Sequence, residues 1–182
     1  MRRPKSGHGP TFRPDNPAPM ILKTSLLVAA ALLAVGAHDP LKDLNIGDAL
    51  PAADIAMKDV MGGDKSLSAL KGESGLLVIF SCNTCPFVIG SEGSTGWENR
   101  YPELGNFCRT NKIGFALVNS NSTKREAGDG FADMQAHYKE KNYNCHYLLD
   151  NDNIVADAFA ARTTPHVFLF DKDLKLVYKG AI

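Results

Sequence analysis

The sequence of 182 residues has little cysteine, no excess of charge and no apolar run of membrane-spanning length. Its four cysteines are too few for a small domain built on disulfides, so their spacing matters more than their number. The 20 basic and 20 acidic side chains cancel, which argues against a nucleic-acid binder that works by neutralising phosphates. The apolar run at residues 26–35 is shorter than the ~20 residues that a membrane span needs.

The rest of the composition is typical of a globular protein. A hydrophobic fraction of 44% excludes wholesale disorder, and the length fits one domain with or without a leader. The charges favour a leader, because residues 1–37 contain five basic side chains and one acidic side chain. Residues 38–182 therefore have a net charge of −4 and form the predicted domain.

Residues 1–37 have the pattern of an N-terminal extension followed by a secretory signal peptide. Lys23 precedes the apolar run, which ends in Val35-Gly36-Ala37, with small or short side chains at the two positions that a signal peptidase reads. A buried hydrophobic helix is the alternative interpretation. No cysteine follows the run directly, so a lipid anchor is not supported. We therefore expect a protein exported to the periplasm or the exterior, without a stable membrane anchor.

Apolar runs and helical spacings alternate along the domain. Continuous apolar runs predict strands buried on both faces, at residues 76–80, 113–118 and 167–170. Helical spacing of apolar side chains predicts helices between these strands, and Asp129 and Asp152 are expected to cap two of them. Alternation of strands and helices predicts an α/β fold with a central mixed sheet covered on both faces and an inserted α-β unit. The chain stops while still strand-like, so we expect that a C-terminal helix is missing from it.

Cys82 and Cys85 are three residues apart at a predicted junction of strand and helix. The positive end of a helix favours thiolate over thiol, so we expect Cys82, at the exposed edge of the helix start, to be the nucleophile. Cys85, one turn into the helix, would then resolve the mixed disulfide. Two structural thiols, a static disulfide or half of a zinc site are alternatives. The zinc site lacks a second ligand pair at ligand spacing, because Cys145 adjoins His146 and Cys108 stands alone.

Four segments together resemble the thioredoxin-like branch of the alkyl hydroperoxide reductase and thiol-specific antioxidant (redoxin) superfamily. They are FSCNTCPFV at residues 80–88, VNSNS at 118–122, TPHVFLFD at 164–171 and LVYKG at 176–180. The resemblance extends from about residue 45 to the end of the sequence. It implies a thioredoxin-like fold, a redox-active pair at Cys82 and Cys85, and a cis proline at Pro165 that lies against the pair. The alternative is that Pro165 only ends a helix.

The same resemblance argues against an efficient peroxidase. Typical peroxiredoxins carry Pro-x-x-x-Thr/Ser-x-x-Cys, and this sequence fits that pattern neither at Cys82 nor at Cys85. The superfamily therefore implies a thiol–disulfide oxidoreductase that needs no cofactor or metal. Its partners would be protein thiols and disulfides and an upstream thiol electron donor. A thiol peroxidase, or a non-catalytic metal-binding module using Cys82, Cys85 and His166, remains as the alternative.

Overall fold

The computed structural model describes residue 9 and residues 43–181, so the predicted extension and signal peptide lie outside the described residues. Seven strands form one sheet: β1 (Met57–Asp59), β2 (Asp64–Lys65), β3 (Gly75–Phe80), β4 (Ile113–Asn119), β5 (His146–Leu149), β6 (His166–Phe170) and β7 (Leu176–Ala181). The helices are α1 (Pro86–Ile89), α2 (Tyr101–Thr110), α3 (Phe131–Glu140) and α4 (Ile154–Ala158). Single 3₁₀ turns occupy Ser68–Leu70, Trp97–Arg100 and Ser122–Lys124.

The sheet is mixed, in the order β2-β1-β5-β4-β3-β6-β7. Strands β3, β4 and β5 run parallel, whereas β6 pairs with β3 and β1 pairs with β5 in the antiparallel sense. The α3–β5 unit adds β5 beside β4. This arrangement confirms the predicted mixed sheet and its inserted α-β unit.

Strand β3 is the centre of the core, because all six of its residues are buried. Leu76, Val78 and Phe80 pack on one face with residues of α4. Leu77 and Ile79 pack on the other face with residues of α1, α2 and α3. Since both faces are covered, a continuous apolar run without alternation is what the strand requires, and the predicted burial is confirmed.

Strands β6 and β7 form an antiparallel hairpin. The Asp171 carboxylate closes its turn by accepting hydrogen bonds from the backbone N–H groups of Asp173 and Lys175, both at 2.9 Å. Such side-chain-to-backbone bonds are how aspartate stabilises tight turns.

The two predicted helix caps are wrong. Gly130, and not Asp129, occupies the N-cap of α3, and Asn153, and not Asp152, occupies the N-cap of α4. Asp150 instead accepts hydrogen bonds from the first backbone N–H groups of α4, at 3.3 and 2.9 Å. The caps were misplaced because several aspartates stand near each helix start, and only the folded chain decides which carboxylate reaches it.

Within the described part of the chain, none of the helices is both long enough and apolar enough to span a membrane.

Candidate dithiol site

Three chain segments meet at the end of the sheet where β3 and β4 finish and β6 begins. Strand β3 leads directly to Cys82 and Cys85, the neighbouring parallel strand β4 ends at Asn119, and Pro165 directly precedes the antiparallel strand β6. Because β6 runs opposite to β3, its first residue lies beside the last residue of β3, with His166 opposite Phe80. The peptide bond between Thr164 and Pro165 is cis, as the resemblance implied.

Cys82 is buried, with 3% of its surface exposed. The pKa of its thiol is raised to about 11, mainly by burial; the hydrogen bond to Thr164 lowers it, and the negative charge of Asp129 and the nearby Cys85 raise it. The Cys82 Sγ lies 3.5 Å from the Thr164 Oγ1. The expectation that Cys82 occupies an exposed edge is therefore wrong, because the helix begins after Cys85 and leaves Cys82 in the turn below it.

Cys85 is the more accessible of the two thiols. It is the N-cap of the four-residue helix α1, where its backbone is extended, so it does not lie one turn inside a helix as predicted. The cause is Pro86, since the residue before a proline disfavours the helical conformation. The Cys85 Sγ donates a hydrogen bond to the Thr164 carbonyl at 3.3 Å, and both cysteines are in the thiol form.

Thr164 thus contacts both sulfur atoms, one through its hydroxyl and one through its carbonyl. Pro165 follows it and is buried. Helix α4 already ends at Ala158, seven positions before Pro165, so a helix-ending proline would be needed closer to that point. The cis peptide bond of Pro165 directly follows Thr164, the residue that contacts both sulfur atoms.

A cavity of about 290 Å³ opens beside the dithiol. Its walls include both cysteines, Asn121, Asp157 and the segment from Arg162 to Thr164. The polar side chains and the accessible sulfur in these walls fit a polar molecule that carries a disulfide, such as a peptide.

Sequence reasoning missed the most buried charged group at the site, the Asp129 carboxylate. It accepts hydrogen bonds from the Asn83 backbone N–H and the Thr84 hydroxyl, both at 2.6 Å. It also accepts from the side-chain amides of Asn119 and Asn121, both at 2.8 Å. Its role as a helix cap was the only local signal, and nothing near it in the sequence indicates these distant partners.

Arg125 was also missed. Its guanidinium donates hydrogen bonds to the carbonyls of Asn119, Asp129 and Asp150, at 3.0, 2.9 and 2.7 Å respectively. A further bond of 2.8 Å goes to the side-chain oxygen of Asn119. Arg125 therefore joins the ends of β4 and β5 to the start of α3 behind the dithiol, because a planar guanidinium can bind several carbonyls at once.

The other candidate residues, Cys108, Cys145 and His166, do not line the cavity beside the dithiol. Cys108 and Cys145 are buried free thiols on the face of the sheet that packs against α1, α2 and α3. Burial raises the pKa of each. The ring of His166 packs near Phe168 and accepts from the Arg162 backbone N–H at 3.4 Å. Within residues 43–181, no group of three His, Cys, Asp or Glu side chains is arranged to hold a metal ion.

A mixed sheet with two thiols after its central strand and a cis proline beside them defines a thioredoxin-like protein. The chain belongs to the AhpC/TSA family, whose model matches residues 46–179. This membership makes it, at the level of class, a redoxin-type oxidoreductase.

Two solved structures are similar to most of the chain. An uncharacterized conserved protein from Geobacillus kaustophilus is 30% identical, with a TM-score of 0.67 over 75% of this chain and 69% of that chain. A hypothetical protein from Sinorhizobium meliloti is 28% identical, with a TM-score of 0.66 over 77% and 72%. The thioredoxin domain of a thiol-disulfide oxidoreductase from Bacteroides vulgatus shares the fold, at 23% identity and a TM-score of 0.58 over 76% and 90%. No curated protein sequence is significantly similar to the chain.

Proposed function

We propose that this protein is an exported thiol–disulfide oxidoreductase in which Cys82 and Cys85 form the redox pair. The observation that carries the proposal is that Thr164 contacts both sulfur atoms, directly before the cis residue Pro165 and beside an open cavity. A cavity next to two adjacent thiols lets a partner disulfide reach them. No cofactor is required, because the two cysteines hold the electrons themselves.

The reaction balances as two exchanges. One cysteine thiolate attacks a partner disulfide, forms a mixed disulfide with one partner sulfur and releases the other as a thiolate. The second cysteine then attacks the mixed disulfide, which forms the Cys82–Cys85 disulfide and releases the second partner thiolate. Two electrons pass from the dithiol to the partner, and an upstream dithiol protein must return two electrons to start another cycle.

Accessibility favours Cys85 as the first nucleophile, in place of the Cys82 that the sequence suggested. Cys82 is 3% exposed, and its pKa is raised by burial, so it is seldom a thiolate near neutral pH. Cys85 is partly exposed and is the N-cap of α1, so its thiol is the one that a partner can reach. Cys82 then serves as the resolving thiol once Cys85 carries the partner.

The surface beside Cys85 suits a protein partner. Phe87 is 71% exposed and Ile89 is 40% exposed, both on α1 directly after the dithiol. Exposed apolar side chains next to a reactive thiol offer contact area to an unfolded or flexible polypeptide. Pro165 and Thr164 would shape the opposite side of the same groove.

Export is part of the proposal and rests on the signal-peptide pattern at residues 20–37. Two proteins of the same fold are described as a secreted disulfide oxidoreductase from Mycobacterium tuberculosis and an exposed lipoprotein thioredoxin from Streptococcus pneumoniae. N-terminal sequencing of protein recovered outside the cytoplasm tests this part. An intact N-terminus in a cytoplasmic fraction would contradict it.

Disulfide reduction by the cysteine variants tests the catalytic part. We expect Cys82→Ser and Cys85→Ser each to reduce insulin at least about 100-fold more slowly than wild type, since the two thiols act as a unit. Cys108→Ser is the matched control and should retain activity, because Cys108 lies in the core away from the cavity. With a model disulfide, Cys82→Ser should accumulate the mixed disulfide on Cys85. Unchanged activity in both site variants would refute the proposal.

A thiol peroxidase is the second candidate, and membership of the AhpC/TSA family favours it. Rapid hydrogen peroxide consumption that disappears in Cys85→Ser would support it. The proposed exchange function predicts slow consumption, because the peroxiredoxin Pro-x-x-x-Thr/Ser-x-x-Cys pattern fits neither cysteine.

A further inference from the structure

Asp129 is fully buried, yet it contacts neither sulfur directly. Its hydrogen bonds instead go to Asn83 and Thr84, the two residues that separate Cys82 from Cys85. A buried carboxylate is costly unless several donors surround it, and here four donors do. Because two of these donors belong to the segment between the cysteines, the carboxylate holds that segment in place.

The fit between this segment and the Asp129 loop is close. The Asn83 side-chain amide donates to the Gly128 carbonyl at 2.9 Å, and the Asn83 oxygen accepts from the Tyr147 hydroxyl at 2.8 Å. A Cβ added at Gly128 would lie 2.9 Å from the Thr84 methyl group, and the positive φ of +106° at Gly128 also favours glycine. The loop before α3 therefore holds the turn between the cysteines on two sides.

Charge is the second consequence of this geometry. The titratable groups that face Cys82 are Cys85, Tyr101, Tyr147 and Asp129. Burial raises the pKa of both tyrosines well above the ordinary value, so they stay neutral at physiological pH. Asp129 is thus the fixed negative charge near Cys82.

Arg125 is a positive charge close to Asp129. Its Nη1 donates to the Asp129 backbone carbonyl and not to the carboxylate. The carboxylate therefore accepts its hydrogen bonds from neutral donors, and its negative charge acts on both Arg125 and Cys82, whose pKa it raises.

We propose that Asp129 is a positioning residue of the dithiol, whose carboxylate holds the turn between the cysteines and whose charge opposes a thiolate on Cys82. The inference deepens the proposed function. Removing the charge makes the Cys82 thiolate easier to form, which stabilises the reduced dithiol and makes the disulfide a stronger oxidant. Asp129 would thus lower the reduction potential of the Cys82–Cys85 disulfide and make the dithiol a stronger reductant.

The test is the pH profile of Cys82 alkylation, measured by mass spectrometry in full-length Cys85→Ser protein. Asp129→Asn keeps the shape and loses the charge, and we expect its profile to shift to lower pH, with alkylation about tenfold faster at pH 8. In protein with both cysteines, the same change should lower the equilibrium constant for disulfide formation in a glutathione buffer about tenfold. Asp133→Asn is the matched control, because Asp133 is an exposed carboxylate in the first turn of α3.

Thr84→Val separates charge from loop loosening. It removes one donor to Asp129 and leaves the carboxylate less compensated, so the Cys82 profile should move to higher pH. A looser loop alone would expose Cys82 and move its alkylation profile to lower pH. The proposal is overturned if folded Asp129→Asn matches wild type, or if Thr84→Val shifts to lower pH. Cys82 alkylation needs no partner disulfide, so this result stands apart from success or failure of insulin reduction.

Discussion

The protein contains two pairs of cysteines that differ in surroundings more than in burial. Cys82 and Cys85 lie after the central strand, beside a cavity, a threonine that contacts both sulfur atoms, and the Asp129 network. Cys108 and Cys145 are also reduced, and they share with Cys82 the apolar cluster on the α1–α3 face of the sheet, but they do not line the cavity beside the dithiol. Their nearest described features are packed side chains and a smaller cavity of about 210 Å³.

The comparison shows that burial alone does not separate the proposed redox pair from the other two thiols. Cys82 and Cys108 are both almost fully buried, and burial raises the pKa of each to about 11. What differs is a second, accessible sulfur close by and polar groups directed at the pair. Cys85 provides the accessible sulfur, so the pair can be entered from solvent although one member is hidden.

The largest expected difference between the two pairs is in alkylation rate. In folded, reduced protein treated with iodoacetamide at pH 8, we expect Cys85 to react first, because it is the accessible thiol. Cys82 should be slow, since a pKa of about 11 in place of 9.0 lowers its thiolate fraction about 100-fold. Cys108 and Cys145 should react only when denaturant is added. Peptide mass spectrometry over time measures all four thiols together.

Alkylation in denaturant serves as the control, because all four cysteines should then react at similar rates. Reaction of Cys108 or Cys145 as fast as Cys85 in folded protein would break the comparison. Reaction of Cys82 before Cys85 would restore the order that the sequence suggested.

Much of the fold was predictable from the sequence, because the strands of a covered sheet need continuous apolar runs. The runs at residues 76–80, 113–118 and 167–170 predicted strands β3, β4 and β6. The position of the cysteine pair at a strand end followed from the same run. These features depend on local sequence and on burial, which a single sequence records.

The details of the site were less predictable, because they depend on contacts between distant residues. Asp129 was interpreted as a helix cap, but its donors Asn83 and Thr84 lie about 45 positions earlier. The sequence predicted Cys82 to be the more exposed of the two cysteines, and the structure shows the opposite. Pro86, which explains this result, could be read from the sequence. A proline after Cys85 keeps that residue extended and delays the helix, and this consequence decides which sulfur is accessible.

The second comparison concerns stability at alkaline pH, where one member of each pair, Cys82 and Cys108, should behave alike. Cys82 and Cys108 each have a folded-state pKa of about 11, raised from 9.0 by burial. The folded state therefore favours the protonated thiol, and this stabilisation is complete below pH 9 and is lost as the pH rises to 11. Each group should contribute about 3 kcal/mol to that loss.

Urea unfolding between pH 8 and 11 measures the effect in wild type, Cys82→Ala and Cys108→Ala. Each alanine variant should lose less stability than wild type over this range, by a similar amount, since alanine has no proton to lose. A difference confined to Cys82→Ala would mean that the site, and not burial, controls the titration. Cys85→Ala serves as a reference variant at a partly exposed thiol.

The smallest expected difference is the cost of replacing sulfur by oxygen in the two pairs. Cys145 is 6% exposed within the apolar cluster, so the hydroxyl of Cys145→Ser would be buried there and should lower the free energy of unfolding by about 2 kcal/mol. Cys85→Ser should cost less than about 0.5 kcal/mol, because its hydroxyl can bond to solvent or to the Thr164 carbonyl. Cys145→Ala separates the polar penalty from lost volume. Equal costs for the two serine variants would mean that Cys145 has a polar partner when mutated, and the second pair would then no longer qualify as purely structural thiols.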